Sequence, residues 1–169
     1  PLDGYATFET YKLDARNIDA FELQFTGRFG MGSRRMVEKF IEGEEVECCA
    51  LIQDGQVLDT YISYMPAAPI DIVDGALNAN ITLSSDERRK LTYDIAPVVQ
   101  RIVDGMMLDH GYMHMEFFVS PPFGTITFGE LALRLAGCEI PMNHSLSSGF
   151  GIFAELIDIH RFPEVNPQS

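Results

Sequence analysis

Basic residues are scarce in this chain: lysine and arginine together number 12 against 25 aspartates and glutamates, for a formal net charge of −13. That balance argues against nucleic acid as a partner, because phosphate contacts need clustered cations. Cysteine is equally sparse. The three present, Cys48, Cys49 and Cys138, suit neither a disulfide framework nor a zinc site with paired spacings, and all three are expected to be reduced and buried. No apolar run is long enough to span a bilayer and no charged stretch followed by an apolar one opens the chain, so a cytoplasmic protein without membrane contact is the expectation. Internal repeats and low-complexity tracts are missing as well.

What is there is a folding composition. The 169 residues are 46% hydrophobic, enough for one substantial core with a small appended layer. The strong acidity does not exclude a nucleotide, since divalent cations can bridge carboxylates to phosphates. Carboxylates at particular spacings are therefore worth seeking. The chain starts at Pro1 rather than methionine and reads as a fragment.

Along the chain, residues 6–13 alternate as a strand and Asn17 caps a short helix running to Gln24, followed by a glycine-rich loop over 26–33. Two strand-like runs, Glu45 to Gln53 and Gln56 to Tyr64, flank Asp54-Gly55, a strong hairpin signal. A long proline-bearing loop, 65–82, leads to Ser84, which forms a capping box with Glu87. Leu91, Ile95, Val98, Ile102 and Met106 then predict an amphipathic helix to about Asp109, with a kink at Pro97. A second hairpin joins Tyr112–Ser120 to Thr125–Leu131 across Pro121-Pro122-Phe123-Gly124, and one final helix is expected over Ser148–Ile159. The order predicts an α+β layering with a mostly antiparallel sheet and flanking helices.

The second hairpin carries the most chemistry. Glu116 lies on its first strand and Glu130 ends its second, so the turn brings them roughly opposite one another on one face. Two such carboxylates suit magnesium, a hard cation that prefers oxygen, and Arg134 follows close enough to reach a phosphate held there. By itself this pattern also describes solvent-facing strand glutamates beside an ordinary ion pair. The four histidines, His110, His114, His144 and His160, show no ligand spacing and are given no role.

Glu116 together with Glu130-Leu131-Ala132-Leu133-Arg134 resembles the ATP-grasp superfamily, whose pattern is an acid on one strand, a hairpin, and E-x-N-x-R. Ala132 departs from it, standing where many members place a metal-binding asparagine. Upstream, Val37-Glu38-Lys39-Phe40-Ile41-Glu42-Gly43-Glu44-Glu45 resembles the family's hinge. The resemblance implies an ATP-grasp fold in which residues 1–38 end the small subdomain and residues 39–169 form the large subdomain carrying the metal site. It implies ATP as nucleotide and Mg2+ (or Mn2+) held by Glu116 and Glu130. Arg134 would act on the transferred phosphate. The Glu38 to Glu45 stretch would bind the nucleoside, with the backbone of Lys39, Phe40 and Ile41 meeting adenine, Glu45 holding the ribose hydroxyls, and Phe118 packing near the base. Pro1-Leu2-Asp3-Gly4 resembles a segment whose phosphate-contacting lysine would lie immediately before Pro1.

The implied activity is carboxylate activation through an acyl phosphate and ligation to an amine, with a small carboxylate and amine as partners and a homodimer as a compatible assembly. The E-x-A-x-R variant also resembles ATP-dependent carboxylases that use bicarbonate, and a domain that binds nucleotide without turnover is a third reading.

Overall fold

The computed structural model describes residues 14, 16–22, 38–67, 71–72, 76–77, 79–120, 124–149 and 151–161. The elements are strands β1 (Glu44–Gln53), β2 (Gln56–Met65) and β3 (Ile81–Thr82), helix α1 (Ser85–Met106), strands β4 (Gly111–Val119) and β5 (Ile126–Ala132), and helices α2 (Ile140–Ser148) and α3 (Ile152–Arg161). The strands form one sheet in the order β3-β2-β1-β4-β5, antiparallel throughout.

The β1–β2 hairpin turns on Asp54 and Gly55, whose φ values of 52° and 71° are both positive, as a two-residue turn matched to strand twist requires. Gln100 of α1 locks this turn to the helix: its Nε2 donates to the Gly55 carbonyl at 2.8 Å and its Oε1 accepts from the Val57 N–H at 3.1 Å.

Strand alternation divides the sheet into two faces. One bears Val46, Cys48, Ala50, Ile52, Ile62, Met113, Met115, Phe117 and Val119, all buried under α1. On α1 itself the buried stripe is Leu91, Ile95, Val99 and Val103, with Val98 and Ile102 at its edge and Met106 exposed. The stripe thus follows a four-residue step, and the helix ends at Met106, short of the expected Asp109. Met107 stops it in the left-handed conformation at φ 51°, donating back to Val103 and Asp104 carbonyls. The capping box at Ser84 and Glu87 forms as expected, and Pro97 lies on the helix's exposed side.

The opposite face bears a second core of Cys49, Leu51, Tyr61, Tyr112, Ala136, Ile140, Ile152 and Ile159, covered by α2 and α3. Here the sequence expectation of one terminal helix is corrected. Gly149, at φ 80°, ends α2 and α3 starts afresh at Ile152, while Pro141 sits in the first turn of α2, where a missing N–H costs nothing. A second correction concerns cysteine: Cys48 and Cys49 are buried free thiols, but Cys138 is exposed. Near the start, residues 18–22 are helical and Asn17 Oδ1 accepts from the Asp14 N–H at 2.8 Å. The strand expected over 6–13 and the loop over 26–33 lie outside the described residues. Among the described residues no helix is long and apolar enough to cross a membrane.

Candidate functional site

Glu116 and Glu130 are direct cross-strand partners in the β4–β5 ladder. This follows from a bulge, not from simple alternation. Phe117 pairs with Phe128 and Glu116 with Glu130, so Gly129 is an extra residue with no partner on β4. Phe117 belongs to the α1 face, and without the extra residue Glu130 would share that face with Phe128. A Cβ at position 129 would lie 2.9 Å from the Glu116 carbonyl oxygen, so the close approach admits glycine. Glu130 is exposed and Glu116 half-buried.

Strand β1 completes an acidic cluster on the same face. Glu47 pairs with Glu116 and, across β2, with Ser63; Glu45 pairs with Phe118; Cys49 pairs with His114. Glu45 and Glu47 are 6% and 5% exposed, an unusual burial for carboxylates. Burial first, then the negative charge of Glu116 beside it, pushes Glu45 up to about 8. Burial and the charge of Glu130 raise Glu116 as well. Ser63 Oγ donates to Glu47 Oε2 at 3.3 Å, and Asn80 Nδ2 donates to the same oxygen. The other oxygen, Oε1, lies 3.6 Å from Nε2 of His114. Glu47, His114 and Glu116 each offer a ligand atom, all within 4.8 Å of one another. Glu47, Ser63, Asn80 and His114 carried no sequence signal. They meet through pairing of strands far apart in the chain.

The remaining predicted residues take the following places. Arg134, just beyond β5, is exposed and its Nη1 donates to the Leu135 carbonyl at 2.8 Å, folding the guanidinium onto its own loop. Glu38, Lys39 and Phe40 are exposed, Phe40 at 59%, and Ile41 is half-buried; together they lead into β1. Phe118 is half-buried on the acidic face, beside Glu45. The structure therefore joins Glu116, Glu130, Glu45 and Phe118 on one face of the sheet, while 38–41 lead into β1.

A second polar group lies further along this face. His144 of α2 is fully buried, with Nδ1 at 2.7 Å from the Tyr112 hydroxyl, Nε2 at 2.9 Å from Asp59 Oδ2, and its ring stacked on Tyr61 at 5.3 Å. Ser148 Oγ donates to the same Asp59 oxygen. Burial works to raise the Asp59 carboxyl, but the hydrogen bonds from His144 and Ser148 hold it below its ordinary value. These contacts pin α2 to the sheet.

No family model and no curated protein matches the chain. Solved structures do. An L-amino acid ligase from Bacillus licheniformis superposes with a TM-score of 0.54 at 18% identity, over 77% of this chain and 31% of that one. D-alanine–D-alanine ligase from Bacillus anthracis, complexed with ATP, superposes with a TM-score of 0.52 at 17% identity, over 86% of this chain and 47% of that one. The chain thus spans less than half the length of either. Both neighbours are ATP-grasp enzymes. The likeness is one of fold: the antiparallel five-stranded sheet with flanking helices described above is an ATP-grasp fold.

Proposed function

We propose that this chain supplies the nucleotide- and metal-binding part of an ATP-dependent ligase that activates a carboxylate and joins it to an amine. The observation that carries this reading is the Glu116–Glu130 cross-strand pair, aimed by the Gly129 bulge onto one face of an ATP-grasp sheet. Two of the solved structures it resembles are ligases, one of them holding ATP, which supports the reaction class.

The donor set fits magnesium. Clustered carboxylates repel one another and so raise one another's affinity for protons, and a hard divalent cation held between them relieves that repulsion. Magnesium bound by Glu116 and Glu130 would neutralise charge on the ATP phosphates. The chain's own side chains do the rest. The stretch from Glu38 to Glu45 binds the nucleoside: the 39–41 backbone meets adenine, Glu45 accepts from ribose hydroxyls, Phe118 packs near the base, and Arg134 swings from the Leu135 carbonyl to the transferred phosphoryl group. On this reading residues 1–38 close the small subdomain and 39–169 form the large one.

In the reaction, a carboxylate oxygen attacks the γ-phosphorus, the bond to the bridging oxygen breaks, and ADP leaves. The amine nitrogen then attacks the acyl carbon, phosphate departs, and the nitrogen loses a proton. Catalysis of the first step is mainly positioning and charge neutralisation.

Hydroxylamine trapping tests the reading. The full-length protein that contains this chain, incubated with ATP, magnesium and a panel of carboxylic acids, should form the hydroxamate of at least one acid, together with equimolar ADP. Nucleotide binding without ADP or hydroxamate from any acid would reduce the protein to a binding domain, and label incorporated from bicarbonate would move it to the carboxylases.

A further inference from the structure

His114 is 5% exposed and its Nε2 has no hydrogen-bond partner among the described residues. A buried polar nitrogen without a partner is costly, and such groups persist where something else binds them. Its surroundings show what that is. Glu47 presents Oε1 toward it at 3.6 Å while Ser63 and Asn80 hold Oε2, so two neighbours fix the carboxylate and leave one oxygen aimed at the imidazole. Orientation of a ligating carboxylate by outer hydrogen bonds is how metal sites are prepared. Glu116 stands beside Glu47 in the ladder and contributes a third atom. Across β5, His114 pairs with Ala132, whose methyl group offers its imidazole no hydrogen-bond partner.

We propose that Glu47, His114 and Glu116 form a second divalent-cation site with one nitrogen and two oxygen ligands, selective for a borderline ion such as zinc over magnesium. First-row ligand distances of about 2.0–2.2 Å put ligand atoms roughly 3–4 Å apart, and the present spacing within 4.8 Å closes to that by small side-chain rotations. An imidazole suits zinc, whereas magnesium takes oxygen ligands and keeps its waters. The site shares Glu116 with the nucleotide site but needs neither Glu130 nor ATP, so it stands or falls separately from the ligase reading.

The test is a zinc titration of the nucleotide-free chain against a chromophoric chelator, with magnesium in large excess and Cys138→Ser as background to silence the exposed thiol. One zinc per chain is expected. His114→Gln and Glu47→Gln should each weaken it by about tenfold or more, and Asn80→Ala by about 10- to 100-fold through loss of Glu47 orientation. Glu130→Gln, which removes a neighbouring charge but no ligand, should lower zinc affinity far less than His114→Gln does. Thermal melts followed by circular dichroism identify any variant that has unfolded, and Asn80→Ala, outside the strand core, decides the case if His114→Gln does not fold. The proposal is overturned if magnesium displaces the zinc, if folded His114→Gln and Asn80→Ala bind zinc like the parent, or if Glu130→Gln weakens zinc as much as His114→Gln does.

Discussion

Glu130 shares a face with Glu116 because Gly129, the residue before it, has no partner on β4. The same device recurs on the other side of the sheet. Leu51 pairs with Asp59 and Ile52 with Val57, so Leu58 is the extra residue, and the bulge turns Asp59 toward His144 rather than under α1. Each bulge converts a strand position that alternation would assign to the α1 core into a polar position on the opposite face.

Gly129→Ala therefore strikes the site without touching a carboxylate. The added methyl meets the Glu116 carbonyl oxygen at 2.9 Å and a Phe118 ring carbon at 3.2 Å, and backbone cannot rotate away. Chemical denaturation should show a loss of about 1–3 kcal/mol. Magnesium-dependent nucleotide affinity should fall with it, measured under conditions where the variant remains folded.

Removing the charge of Asp59 gives a stability loss with a defined pH window. Its folded-state carboxyl sits below the ordinary 3.8, so its contribution is present above that value and disappears as pH falls through the folded value. At neutral pH, Asp59→Asn should cost roughly 1–3 kcal/mol, because His144 and Ser148 lose a charged acceptor. Urea melts repeated toward low pH should bring parent and variant together below about pH 3.8; a constant gap would contradict the assignment.

Ser84→Ala removes the cap of α1, since Ser84 accepts from the Glu87 N–H and Glu87 reaches back to the Ser84 N–H. A loss of about 1 kcal/mol is expected by thermal or chemical unfolding, with nucleotide binding unaffected.

Local rules carried much of this fold. Asp54-Gly55 marked its hairpin, Ser84 and Glu87 marked the start of α1, and the second hairpin placed Glu116 near Glu130. The misreadings have local causes too. The apolar pattern of α1 admitted two stripes, and only packing against the sheet selects Val99 and Val103 over Met106. Pro141 and Gly149 were available as boundary signals for α2, but Ile140–Ser148 has too little amphipathic contrast to stand out between them. Glu47 and His114 are a different matter. Each looks like an ordinary strand residue, and their juxtaposition exists only once β1 pairs with β4, a contact across the whole of β2, β3 and α1. Buried polar clusters assembled by non-local pairing leave no spacing to read.

Metal-nucleotide binding by the Glu116–Glu130 pair underlies the proposed ligase activity. It is tested most directly by calorimetric titration of the chain with a nonhydrolysable ATP analogue, with and without magnesium. Binding should require magnesium and be lost in folded Glu116→Gln and Glu130→Gln. Binding indifferent to magnesium, or unchanged in both variants, would contradict it.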